Sequence, residues 1–237
     1  MFKMLYDNNF LYDCTQPTRK FGYIDAEYGL YPYTLDYKSK QDCPIEPCPV
    51  CSWPGIWEQP MLDLEDEWMV GCGGDCGNVC SMLDACTMYT CMTSFHYILH
   101  NHFFRPDEPF TPERVFNMLM RNFNRTYRGE EDPDLGIFVP GNKAPWGLYM
   151  HAAWFFGNDW HYQGYKMFIE EITNTANYPD VFIVPVETGI RYMQSPMPLE
   201  VILNQGQKDT TPFGCTAINN QDGSNRFFYF FLIILFC

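Results

Sequence analysis

Three observations predict an α+β fold. Aromatic and Pro/Cys-rich segments without helical period open the chain, helical spacings fill its middle, and short apolar runs of strand type follow. Helices and strands that come in separate runs segregate into a helical part and a sheet. With 237 residues, 46% of them hydrophobic, the chain can bury a sizeable core without staples.

Residues 1–70, with "GLYPYTLDY" and "CPIEPCPVCSWPG", read as a loop-rich region. From Asp75 the pattern changes. Asp75 suits an N-cap, and Val79, Cys80, Leu83, Cys86, Thr87 and Thr90 follow at helical spacing, which predicts a helix over 76–91. "FTPERVFNMLMRN" predicts a second helix, with Thr111 as N-cap, Pro112 at the first position, and Val115, Phe116, Leu119 and Met120 on one face. "EEDPDLGIFVPGNKAPWG" reads as a loop. A third helix is expected over "LYMHAAWFF", stopping at Gly157, and a fourth over "YKMFIEEITNTA", with Phe168, Ile169, Ile172 and Ala176 on one side.

"DVFIVPV" is a strand whose unbroken apolar run predicts burial on both faces; "LEVIL" and "FGCTAI" are further strand candidates. The apolar tail "RFFYFFLIILFC" is too short to span a bilayer as a helix. It reads either as a terminal core strand or as an artefact of the coding boundary. The organisation is a loop-rich region 1–70, an α+β domain 71–225 and a tail 226–237.

The formal net charge is −14, which argues against nucleic acid, because phosphate binding needs clustered Lys and Arg. No Lys or Arg stands between Lys40 and Arg105, a stretch that carries Glu46, Glu58, "DLEDE" at 63–67, Asp75 and Asp84. A peptide or protein partner of this region is expected to be basic or neutral. The run "DLEDE" itself reads as a solvated turn.

Eleven cysteines follow a start without a secretory leader pattern, which favours metal or catalytic use over a disulfide framework and an intracellular setting. Cys48-Pro-Val-Cys51 forms a Pro-shaped turn, and Cys72-Gly-Gly-Asp-Cys76 comes about twenty residues later. Two such thiolate pairs can meet as a tetrahedral structural zinc site, built from Cys48, Cys51, Cys72 and Cys76 in a non-catalytic binding protein. Cys43, Cys48, Cys51 and Cys72 form an alternative ligand set that leaves Cys76 free.

Cys76 falls in the first turn of the predicted helix. Unpaired N–H groups and the helix dipole lower a thiol pKa there, and Gly77 admits a substrate backbone. "DCGNVCSMLDACTMY" resembles the nucleophile helix of the C39-like, papain-fold cysteine peptidases. "FTPERVFNMLMRN", "GLYMHAAWFFGNDW" and "FIEEITNTANYPDVFIVPV" resemble the elements that follow it in that family. The resemblance implies a papain-like architecture and a peptide- or amide-bond hydrolase with Cys76 as nucleophile. The family's strand histidine has no counterpart, since no histidine follows His161, and the nearest upstream glutamine is Gln59. An active enzyme with an unassigned base and an inert relative both fit that pattern.

His96 and His100, at i, i+4, could share a helix face as metal ligands, but surface histidines are the plainer reading. His151, beside two alanines and aromatics, is expected to be packed and hydrogen-bonded rather than a base. Cys80, Cys86 and Cys91 are expected as buried small hydrophobes. Asn124-Arg-Thr126 is a glycosylation triplet of little weight.

Overall fold

The computed structural model describes residues 1–18, 30–39, 41, 43, 46, 48–65, 79–83, 111–131, 136–201 and, as backbone, 230–236. It is a mixed α+β structure with small sheets. Helix α1 (Phe2–Asp7) seats Phe2 and Leu5 against Leu35 and Ile56. Strands β1 (Tyr12–Asp13), β2 (Tyr33–Thr34) and β3 (Trp57–Glu58) form one sheet in the order β1-β3-β2. β1 and β3 are parallel, while β2 is antiparallel to β3. β4 (Leu64–Glu65) pairs antiparallel with β5 (Val79–Cys80).

Helix α2 (Pro112–Tyr127) starts where the sequence places it: Thr111 is extended, and Pro112 occupies a first-turn position whose N–H would have no helical partner. Val115, Leu119 and Phe123 repeat every fourth residue and are buried. After α2 come the hairpin strands β6 (Gly129–Glu131) and β7 (Phe138–Pro140), strand β8 (Trp146–Met150), and helices α3 (Ala153–Gly157) and α4 (Asp159–Ile172). Strand β9 (Val181–Val184) and helix α5 (Val186–Gln194) follow, and β10 (Phe230–Phe236) lies between β8 and β9, antiparallel to both. β8 and β9 therefore run parallel to each other.

The main core lies where α2 and α4 cross. Phe123 is its hub, with ring centroids 5.2 Å from Tyr178, 5.9 Å from Phe168 and 6.1 Å from Trp146, all edge-on. Edge-to-face packing of this kind adds about 0.5–1.5 kcal/mol per pair beyond area burial. Gly164 allows the crossing. A Cβ there would lie 2.4 Å from the Pro112 carbonyl oxygen and 2.6 Å from the Val115 Cβ.

Several expectations are corrected. Val79–Cys80 is a strand and 81–83 are bends and a turn, so the predicted helix 76–91 is absent over 79–83; residues 76–78 and 84–91 lie outside the described residues. "LYM" belongs to β8, and the third helix starts only at Ala153; in "GLYM" the aromatic and Met positions fit either period, and burial from Trp146 to Met150 decides for a strand. The predicted loop after α2 contains the β6–β7 hairpin, and the N-terminal region contains α1. β9 exists, but most of it is only half-buried. Leu199–Val201 of "LEVIL" is helical, and "FGCTAI" lies outside the described residues.

"DLEDE" is not a solvated turn in its described part. Leu64–Glu65 is β4, and Glu65 is buried. Its carboxylate accepts from Arg125, its backbone N–H donates to Asn122 Oδ1 at 2.7 Å, and Asn122 Nδ2 donates back to its carbonyl at 2.8 Å. Arg125 also donates to Glu130 at 2.7 Å. An acid that reads as surface turn is thus the buried tie between β4 and α2.

Candidate functional site

The cysteine sites come first. Cys43 and Cys48 are joined as a disulfide, with Cα atoms 5.8 Å apart. A disulfide sulfur is no thiolate ligand, so neither zinc set containing Cys48 is formed. Cys51 is a free, exposed thiol. Cys72 and Cys76 lie outside the described residues, as do His96 and His100. Cys80 is buried as expected but is disulfide-bonded rather than a free hydrophobe. Among the described residues no group of three or more His, Cys, Asp or Glu is placed to hold a metal ion, and no helix is long and apolar enough to cross a membrane.

The structure assembles another constellation, which the sequence reading missed. The parallel register puts Asp13 of β1 opposite Glu58 of β3. Both are buried, Glu58 completely. Burial first, then the Asp13 charge, pushes the Glu58 carboxyl well above the usual carboxylate range, and a hydrogen bond to Asp13 adds to this. The Gln16 N–H donates to Glu58 Oε1 at 3.3 Å and partly offsets it. Thr15 Oγ1 donates to Asp13 Oδ2 at 2.6 Å.

Cys14, the next residue along from β1, joins the group. Burial, then Glu58 and Asp13, drive its thiol far above the normal range, while a hydrogen bond from Tyr149 pulls it back only in part. The raised pKa disfavours the Cys14 thiolate, the form that acts as a nucleophile. Tyr149 comes from β8, and its fully buried hydroxyl is held in the protonated form by desolvation first and then by Cys14 and Glu58. The cluster therefore ties the β1–β3 sheet to the β8–β10–β9 sheet. Gln41 braces it from outside: its Nε2 donates to the Gln16 and Pro17 carbonyls at 3.3 and 3.2 Å, and its Oε1 accepts from Tyr33 at 2.8 Å.

His151 stands immediately after β8, two residues beyond Tyr149, and is exposed. That corrects the expectation of a packed residue. His161 is the packed one: it is 4% exposed, stacks on Trp154 at 4.5 Å, and its Nδ1–H donates to the Trp154 carbonyl at 2.7 Å. The Asn124 triplet is a poor acceptor, since Asn124 lies within α2, takes a 3.4 Å hydrogen bond from the Tyr178 hydroxyl, and precedes a buried Thr126.

Asp13 and Glu58 are the last residues of the parallel strands β1 and β3, and Tyr149 is the next-to-last residue of β8. Asp13, Glu58, Cys14 and Tyr149 thus form a buried polar cluster, and the exposed His151 follows the strand that carries Tyr149.

The chain is 33% identical over 215 residues to Chitin deacetylase 8 of Bombyx mori, a match covering 90% of this chain and 45% of that protein. It is 27% identical over 207 residues to Chitin deacetylase 1 of Bombyx mori, covering 82% of this chain and 29% of that protein. These relatives are chitin deacetylases. No protein-family model matches the chain. The chain spans less than half the length of the curated relatives it matches.

This likeness runs along nearly the whole chain and overturns the resemblance to C39-like cysteine peptidases. The thiol-protease reading falls with it, and the papain-like architecture has no support; the zinc-stabilised alternative is unsupported among the described residues, where Cys43 and Cys48 are disulfide-bonded. The peptidase resemblance rested on one Cys-Gly pair and on the character of successive elements. Amphipathic helices followed by an apolar strand occur in many unrelated folds, so such a series carries little specificity.

Proposed function

We propose that this chain is part of a hydrolase that removes acetyl groups from chitin or a chitin-like polysaccharide. The observation that carries the reading is the 33% identity to Chitin deacetylase 8 over 90% of the chain. In that reaction water adds to the acetamide carbonyl, the C–N bond breaks, acetate leaves, and the sugar nitrogen takes a proton. His151 is the residue proposed to exchange that proton, because it is the exposed titratable side chain at the end of β8. Asp13, Glu58 and Tyr149 are proposed to position that strand end from beneath, through buried polar contacts.

The charge balance supports the reading. The substrate is neutral and the deacetylated product is an amine, so a chain of net charge −14 repels neither. The Cys43–Cys48 disulfide favours an oxidising compartment over the intracellular setting expected from the sequence. Deacetylases of this kind are typically metal-dependent, with zinc or cobalt. The described residues do not fit such a group, since no three candidate ligands among them converge, and no step is derived through it.

The test is acetate release from N-acetylated chitooligosaccharides by the purified chain, with and without added zinc, alongside retention on chitin beads. Acetate release, or retention reversed by soluble oligosaccharide, supports the reading. Neither acetate nor retention overturns it for this chain.

A further inference from the structure

Three cysteines fall within nine residues: Cys43 and Cys48 are bonded, and Cys51, three residues on, is free and exposed. Cys48-Pro-Val-Cys51 is a Cys-x-x-Cys segment in which Pro49 fixes one backbone angle and the Val50 N–H closes a turn on the Cys48 carbonyl at 2.9 Å. A tight turn thus separates the two cysteines. Cys48 is half-buried and Cys51 exposed, so the free thiol lies on the solvent side of the bridge.

We propose that this segment is a thiol–disulfide exchange site, in which Cys51 competes with Cys43 for Cys48. The Cys51 thiolate forms a bond to the Cys48 sulfur, the Cys43–Cys48 bond breaks, and Cys43 leaves as a thiolate that takes up the proton Cys51 released. One disulfide and one thiol stand on each side of the step, so no oxidant or reductant is consumed.

The exchange has a route into the rest of the molecule. Gln41, two residues before Cys43, holds the Gln16 and Pro17 carbonyls and accepts from Tyr33. The Cys43–Cys48 bridge anchors the chain just beyond it. Moving the bridge to Cys48–Cys51 frees that anchor while keeping the segment oxidised. Neither the cluster around Glu58 nor the proposed deacetylase reading is needed for the exchange itself.

The experiment uses the intact chain without reductant. Protein is held at about pH 8 to populate thiolates, quenched with acid at intervals, alkylated with N-ethylmaleimide under denaturing conditions, and mapped by peptide mass spectrometry. Label is expected at Cys51 at first, with labelling of Cys43 rising several-fold over its zero-time level as a Cys48–Cys51 peptide appears. Cys51→Ser should abolish the rise at Cys43. In Cys43→Ser, glutathione disulfide should give an internal Cys48–Cys51 bridge. Cys43 staying at its zero-time level, an equal rise in Cys51→Ser, or Cys51 consumed as a disulfide-linked dimer would each overturn the proposal.

Discussion

Glu58 stands opposite Asp13 across the parallel pair β1–β3, fully buried and keeping its proton well above the usual carboxylate range. Burial penalises its charge first, and the facing carboxyl adds a second penalty.

The first prediction follows from that sign. A group whose folded-state pKa is raised lends stability below its unfolded value, near 4.5, and loses it as pH climbs through the folded value. Glu58→Gln keeps the shape and a donor toward Asp13 but cannot ionise. The variant should therefore lose less stability than the parent as pH rises from about 4.5 into the alkaline range. Thermal midpoints of both proteins across pH 4 to 9 check this, and parallel curves would remove Glu58 from the pH response.

Arg125 is the buried hinge of an ion network, between Glu65 and Glu130. Arg125→Met leaves Glu65 buried beside only the half-exposed Arg121, and the expected cost is about 3–5 kcal/mol. The double change Glu65→Met with Arg125→Met removes both charges and should recover most of that loss. Guanidinium unfolding of the parent, the single and the double variant forms the comparison.

Gly164→Ala sets two effects against each other. Alanine gains about 1 kcal/mol in helix propensity. The added methyl, however, meets the Pro112 carbonyl at 2.4 Å, and backbone cannot swing aside as a side chain can. Overpacking costs about 1–3 kcal/mol, so net destabilisation is expected. A higher unfolding midpoint for the variant would show that α2 and α4 separate at no cost.

His151→Ala tests the proposed chemistry. A general acid–base group contributes about 10²- to 10⁴-fold in rate, and acetate release should fall by that order. Because His151 is exposed, the unfolding free energy should stay within about 0.5 kcal/mol of the parent. An unchanged rate assigns the proton transfer elsewhere.

The parts of the fold legible in the sequence were those with local signals. Thr111-Pro112 and a four-residue apolar repeat announce α2 within its own segment, and the run at Val181–Val184 announces β9. What escaped depends on partners far along the chain. Glu65 reads as surface because Asn122 and Arg125, which bury it, come almost sixty residues later. Asp13 and Glu58 sit as single acids inside the apolar phrases "FLYDC" and "GIWEQP". That is the local signal, and nothing within residues 1–70 alone says that the two acids meet across a parallel pair. Spacing alone does not separate a disulfide from a thiolate ligand pair, and Cys43 and Cys48 are the disulfide.

Strand β10 lies between β8 and β9, with Phe230 paired to Met150 and Phe236 to Val181. Its partners leave the ribosome long before it does. Until β10 arrives, β8, which carries Tyr149 and leads to His151, has an edge with unmatched backbone groups. Closing so wide a loop is entropically late and slow. The strand end beside the buried acids is therefore among the last parts of the sheet to set, and during synthesis its open edge is the natural place for a chaperone or a neighbouring nascent chain to bind.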